Sequence, residues 1–199
     1  MDLAVFNLNE LLSRSFNDIN ELDLIRFINN IPMLGKGVWL AGGAIRRTLM
    51  GYKNVESDFD LFFETPEIKD DYIKSIENDG AILKRKNDLN ACYEYKGFII
   101  QCIHVKYYKD PMEILDSFDY TICQFATDGK TLYYNPLALY DLGRKRLAIH
   151  KVTYPVATLR RLLKYVSQGF YACSGCLFNL LESVARNPQL LDDKFLYLD

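Results

Sequence analysis

The chain has 199 residues, 49% of them apolar, with 12 Phe and 14 Tyr and a formal net charge of −2. That supplies one packed core with or without a short helical extension, while a charge so near zero argues, by itself, against nucleic-acid binding. No run of about 18 uncharged apolar residues occurs, so no membrane span is expected. Met1-Asp2-Leu3 carries no basic segment ahead of an apolar core, so no secretory signal is expected either. Five cysteines (Cys92, Cys102, Cys123, Cys173, Cys176), an odd number in apolar contexts, point to reduced thiols and a cytoplasmic setting.

Taken in chain order, apolar residues at helical spacing from Leu8 to Ile28 predict an N-terminal helix over 8–30, broken near Asn17–Asn20. Gly35 and Gly37 release the chain into a strand over 38–41. A Gly42-Gly43 turn then leads to a helix over 43–50, and a strand over 59–63 ends at Pro66. Residues 67–79 read as an acidic helix stopped by Gly80. Alternating runs around 81–85, 91–96 and 98–106 predict three strands, with Lys96-Gly97 as a hairpin turn. A strand over 119–126, a turn at Asp128-Gly129, a strand over 131–134 and helices over 136–142, 155–169 and 174–186 complete the chain. No repeat or low-complexity segment interrupts it.

The stretch from Leu40 to Phe63 carries the chemistry. Residues i and i+2 of a strand share a face, so Asp58 and Asp60 project together while Phe59 turns to the buried side. Two carboxylates on one side of a strand suit Mg²⁺, a hard ion that substrate phosphates also bridge. The Gly42-Gly43 turn lets backbone approach a triphosphate, and the start of the next helix offers unpaired N–H groups to it.

With those residues in place, the sequence resembles the nucleotidyltransferase superfamily of DNA polymerase β. The likeness is strongest to the head and neck of bacterial poly(A) polymerases and CCA-adding enzymes. Gly42, Gly43, Ile45, Arg46, Leu49, Gly51, Asp58 and Asp60 stand in register with the opening motif of those enzymes, whereas Arg47 stands where they have an aspartate. Ser117–Cys123 looks like the Arg-Arg-Asp-Phe-Thr-Ile-Asn segment without its arginines, and Asn135-Pro136 to Arg146-Leu147 and Pro155 to Phe170 follow the next two motifs.

The resemblance implies an α+β, polymerase β-like nucleotidyltransferase fold, with a mixed or antiparallel sheet flanked by helices. It divides the chain into a head over 1–150 and a helical neck and tail over 151–199. It implies two Mg²⁺ ions, with Mn²⁺ as a substitute, held by Asp58 and Asp60. It implies phosphate contacts from Gly42, Gly43 and Arg46, and a supporting or ribose-contacting role for Asp119. The third carboxylate common in the superfamily, expected on a strand antiparallel to the aspartate strand, is replaced by Gln101. The base-reading pattern at the start of the neck helix is replaced by Thr153, Tyr154 and Ala157, which leaves stacking on Tyr154 and donors from Arg160 or Arg161.

Charge distribution bears on partners. From Leu142 to Leu181 there is no Asp or Glu but seven Lys or Arg (Arg144, Lys145, Arg146, Lys151, Arg160, Arg161, Lys164), a span suited to triphosphate or a polynucleotide strand. Cys173-Ser174-Gly175-Cys176 has metal-type spacing but no second ligand pair. The expected reaction moves NMP or dNMP from a nucleoside or deoxynucleoside triphosphate to a hydroxyl, making or extending short single-stranded oligonucleotides, with adenylate the family default. Tyr197, near the C-terminus, resembles the self-priming acceptor of small defence-associated nucleotidyltransferases with antiviral signalling roles. An RNA or tRNA 3′ end, a protein acceptor of toxin type, a homo-oligomer or partner chain, and an inactive nucleotide-binding module stay open as alternatives.

Overall fold

In a computed structural model, residues 3–191 are described; Tyr197 lies outside them. The chain opens with β1 (Ala4–Asn7), α1 (Leu8–Ser13), a 3-10 turn at Ile19–Glu21 and α2 (Asp23–Asn30). The helix expected over 8–30 is interrupted around Asn17–Asn20, as expected, and so forms two short helices, while β1 ahead of them was not expected. Asn7 caps α1 and Asp18 caps the 3-10 turn by accepting from backbone N–H groups, so each short polar side chain starts a new element rather than continuing the last.

Then come β2 (Val38–Ala41), α3 (Gly43–Leu49), β3 (Phe59–Phe63), α4 (Pro66–Asn78), β4 (Ile82–Lys86), β5 (Asn90–Tyr95) and β6 (Phe98–Ile103). Thr65 caps α4 and Pro66 occupies its first turn, where a missing N–H costs nothing, so the proline starts the helix. Lys96 (φ 51°) and Gly97 (φ 82°) are both left-handed, which matches the twist of the β5–β6 hairpin. After α5 (Pro111–Ser117), the expected strand over 119–126 is instead a bridge at Tyr120, a 3-10 turn at Thr121–Cys123 and β7 (Phe125–Thr127). There follow β8 (Thr131–Tyr134), α6 (Pro136–Gly143), β9 (Arg146–Leu147), α7 (Pro155–Ser167), β10 (Tyr171–Ala172) and α8 (Ser174–Arg186).

Eight strands form one sheet in the order β1-β8-β7-β2-β3-β6-β5-β4, antiparallel throughout except for β3–β6. The strand that carries Gln101 thus runs parallel to the aspartate strand, a correction to the expected antiparallel pairing. The long crossover through α4 and the β4–β5 hairpin returns the chain in the same direction.

The two faces of the sheet differ. One is covered by α1 to α4 over a cluster that includes Phe27, Leu40, Ile45, Phe59, Leu61, Phe63, Tyr72 and Ile100. Phe27 and Phe59 stack with ring centroids 3.9 Å apart. On the other face, α5 covers only the middle strands, where Trp39, Phe62, Tyr108, Ile114 and Leu115 pack together. The apolar core runs without a break across residue 150, since Leu162, Tyr165 and Phe170 of the neck share a cluster with the head. No helix among the described residues is long and apolar enough to cross a membrane.

Candidate active site

Asp60 pairs laterally with Ala41 on β2 and with Gln101 on β6. Lateral partners share a face, so Asp60 lies with Gln101 on the α5 side of the sheet, beyond the cover that α5 gives Phe62. Asp58 sits in the loop one residue before β3, not within the strand as expected. Gln101 holds it, its Nε2 donating a short hydrogen bond to the Asp58 carboxylate. The Gln101 carbonyl in turn accepts from Asn90 Nδ2 at 3.1 Å. A buried amide pair thus stands where the superfamily commonly has a third acid.

The glycine turn lies against this loop. Gly42 has φ 83°, a conformation that penalises any side chain, and its N–H donates to the Phe125 carbonyl at 2.9 Å. A Cβ on Gly43 would stand 3.3 Å from Ser57 Oγ, so the missing side chain is what lets the acidic loop settle beside the turn. The helix that follows has only seven residues, too few for a strong macrodipole, so the turn contributes mainly by its room.

A cleft of about 730 Å³ joins these parts to the neck helix. Gly42, Gly43, Arg46, Asp58, Asp60, Asp119, Tyr154 and Arg161 all line it. Burial pushes the Asp60 carboxyl up to about 7, the Asp58 charge adds to the rise, and Lys164 and Arg161 oppose it. Two carboxylates crowded in this way form a donor set that a hard divalent cation fits, because the cation relieves both burial and mutual repulsion. No group of three or more His, Cys, Asp or Glu side chains placed to share a metal occurs among the described residues.

Arg46 is 4% exposed, with its guanidinium over Tyr165 (4.7 Å) and Phe170 (5.3 Å) and its Nη2 donating to Gln168 Oε1 at 3.0 Å. Its Nε and Nη1 are buried without a partner. Arg47, at the departure from the family pattern, reaches Glu56 at 3.6 Å and stacks on Tyr52.

On α7, Arg161, Lys164, Tyr165 and Gln168 fall at helical spacing on one side and line the cleft, and Thr158, a turn earlier, faces the same way. Arg160, turned about 100° from Arg161, is exposed and not among the lining residues, so only one of the two expected arginines faces the site. The i, i+3, i+7 spacing from Arg161 was available in the sequence and would have singled out Lys164 and Gln168. Asp119 is 8% exposed and engaged, accepting from Arg161 Nη1 at 2.7 Å and Thr158 Oγ1 at 3.0 Å. Tyr154, half-buried, precedes the first residue of α7 and stands beside Thr153 and Lys151 in the cleft wall. Phe118, from the Ser117–Cys123 motif, and Tyr108 and Lys106, from a segment with no motif signal, also line it.

The acid-free span of the sequence is not acid-free in space. Arg146 pairs with buried Asp141 at 2.6 Å, Lys151 with Asp116 at 3.1 Å, and Arg161 with Asp119. Arg144 lies over the Tyr140 ring at 4.5 Å. Acids from elsewhere in the chain break the basic run into separate pairs. Cys173 immediately precedes α8 and Cys176 is buried on it, both free thiols.

The sheet, the glycine turn and α7 together make an α+β fold similar to that of CCA-adding enzymes. Among solved structures, the Thermotoga maritima CCA-adding enzyme complexed with tRNA superposes with a TM-score of 0.68 at 18% identity, covering 98% of this chain and 48% of that one. A CCA-adding enzyme complexed with ATP gives 0.67 at 19% identity over 94% and 48%. The Bacillus stearothermophilus CCA-adding enzyme in complex with CTP gives 0.60 at 15% identity over 86% and 46%. The chain belongs to the Gabija anti-defense 2 family, whose model matches residues 7–145. A curated relative, Gabija anti-defense 2 of Bacillus phage SPbetaL7, is 24% identical over 134 residues. That match spans 66% of this chain and 33% of the relative, so the shared region is a third of the longer protein.

Proposed function

We propose that this chain is a nucleotidyltransferase domain that binds a nucleoside triphosphate in the cleft and transfers its nucleotidyl group to a hydroxyl, releasing pyrophosphate. The observation that carries the reading is the Asp58–Asp60 pair facing a cleft whose other wall presents Arg161 and Lys164, with two unpartnered donors of Arg46 on its lining. Carboxylates on one side and cations on the other are what a metal-bound triphosphate needs.

Asp58 and Asp60 would hold Mg²⁺, two ions by family resemblance with Mn²⁺ as a substitute, which supplies charge neutralisation and a more acidic acceptor hydroxyl. The chain's own residues do the rest. Gln101 keeps the Asp58 carboxylate turned to Asp60. The rigid guanidinium fork of Arg46 suits phosphate oxygens, which would satisfy its Nε and Nη1. Lys164 and Arg161 offset negative charge that develops as pyrophosphate leaves. Tyr154 and Phe118 give the base flat apolar surfaces to stack on. In the transfer, the acceptor oxygen forms a bond to the α-phosphorus, the α–β phosphoanhydride breaks, its electron pair leaves on pyrophosphate, and the acceptor proton passes to water.

The family description is of anti-defense, so the proposed transfer acts against a Gabija system rather than in the defence-side signalling that the resemblance of Tyr197 implies. Intact-mass measurement after incubation with Mg²⁺ and each NTP or dNTP, with and without added RNA, tests the chemistry. New mass on protein or RNA that disappears in Asp58→Ala and Asp60→Ala is expected. Bound nucleotide with no product under any condition would leave only a binding module. Plaque counts in cells carrying Gabija, with wild type against Asp58→Ala, test the role.

A further inference from the structure

A β-bulge at the edge of the sheet sets up a second feature of this face. β4 pairs with β5 as Leu83 opposite Tyr93, then Arg85 opposite Cys92, so Lys84 is the extra residue. A bulge of this kind re-aims the following side chain. Regular alternation would have turned Arg85 to the helix-covered side with Leu83; the bulge places it instead on the face of Cys92. Pairing then continues laterally from Cys92 to Gln101 and from Gln101 to Asp60. Asp60, Gln101, Cys92 and Arg85 therefore form one row across four strands, running from the paired aspartates to the sheet edge. Three inter-strand spacings make that row roughly 14 Å long.

The row is open. Ile99 on β6 and Ile82 on β4, which flank it through Glu94, are 37% and 58% exposed. Lys84 is neutralised by Glu94 at 2.6 Å, but Arg85 makes no ion pair or side-chain hydrogen bond among the described residues. The surface is thus a neutral, partly apolar lane with an acidic metal-type site at one end and a free guanidinium at the other. The neck does not serve this purpose equally well, since Arg146, Lys151 and Arg161 are already paired.

We propose that this lane seats the 3′ end of a single-stranded nucleic acid acceptor, with Arg85 holding a backbone phosphate a few nucleotides behind the hydroxyl that enters between Asp58 and Asp60. The proposal rests on the nucleotidyltransferase reading and deepens it by naming the acceptor class. Charge decides the occupant: an anionic backbone is drawn to Arg85 and passes over uncharged Cys92 and Gln101 on the way in.

The test is fluorescence anisotropy of end-labelled single-stranded RNA and DNA oligonucleotides with the full chain, titrated at several salt concentrations. In parallel, MgATP binding is followed by calorimetry. Arg85→Glu is expected to weaken oligonucleotide binding about tenfold or more and to flatten the logarithmic salt slope by about one phosphate contact. Arg85→Lys should recover most of the loss, and MgATP affinity should stay as in wild type. Unchanged oligonucleotide affinity in Arg85→Glu, or no oligonucleotide binding by the wild type, overturns the lane. Failure of transfer itself is read separately, because the anisotropy needs no turnover: binding that depends on Arg85 without product would retain the lane and remove the enzyme reading.

Discussion

The Arg161 guanidinium on the neck helix and the Thr158 hydroxyl one turn earlier both donate to the same Asp119 carboxylate oxygen, at 2.7 and 3.0 Å. Asp119 also accepts from the His150 N–H through its backbone carbonyl at 2.7 Å. One residue therefore ties the segment after α5 to the chain entering the neck and to the neck helix itself, which sets the wall of the cleft opposite Asp58 and Asp60.

Breaking one partner of that pair should cost more than breaking both. Arg161→Met strands a carboxylate that is 8% exposed, and a loss of about 3 kcal/mol in urea unfolding is expected. Adding Asp119→Asn should restore more than 1 kcal/mol, a coupling read from the double-mutant cycle. Additive losses would mean that the two residues do not act as a pair.

Asp60 makes stability depend on pH. Its carboxyl is raised from 3.8 to about 7, so the folded state binds a proton that the unfolded state has already released. Stability in EDTA should then fall as pH rises from about 4 to 7, by about 2–4 kcal/mol, and level off above that. Asp60→Asn should remove the slope and melt higher than wild type at pH 7.5 while losing turnover. Added Mg²⁺ should raise the wild-type melting temperature at pH 7.5 and leave that of Asp60→Asn unmoved.

Gln101→Glu places a third carboxylate against Asp58, whose oxygen the amide now supplies with a donor. Repulsion replaces a hydrogen bond, so metal-free protein at neutral pH should lose about 1–3 kcal/mol. Divalent-ion affinity should rise about tenfold or more by titration calorimetry. Gln101→Ala should release Asp58 without adding charge and lower kcat, and by stranding the buried Asn90 amide it should also cost about 1–3 kcal/mol of stability.

Arg46 lies over the Tyr165 and Phe170 rings with two donors unfilled. Arg46→Lys keeps the charge but loses the planar fork. MgATP affinity should drop about tenfold and the thermal shift produced by MgATP should shrink accordingly. Equal shifts in the two proteins would place the triphosphate elsewhere.

Local signals carried the chemistry. The Gly42-Gly43 turn, the Asp58-x-Asp60 spacing, the Lys96-Gly97 hairpin and most element positions follow from steric freedom and side-chain periodicity within a few residues. Those parts were legible because their causes are neighbours in the chain. Tertiary structure decided what neighbours cannot encode: that β1 completes the sheet edge beside β8, that β3 and β6 run parallel, and that α7 turns Arg161 and Lys164 rather than Arg160 to the cleft. It decided, too, that acids at 116, 119 and 141 neutralise cations of the acid-free span, while Arg85, on the edge strand at the other end of the row from Asp60, makes no ion pair among the described residues. Strand pairing and charge compensation join residues tens of positions apart, and only packing determines which of the many permitted partners meet.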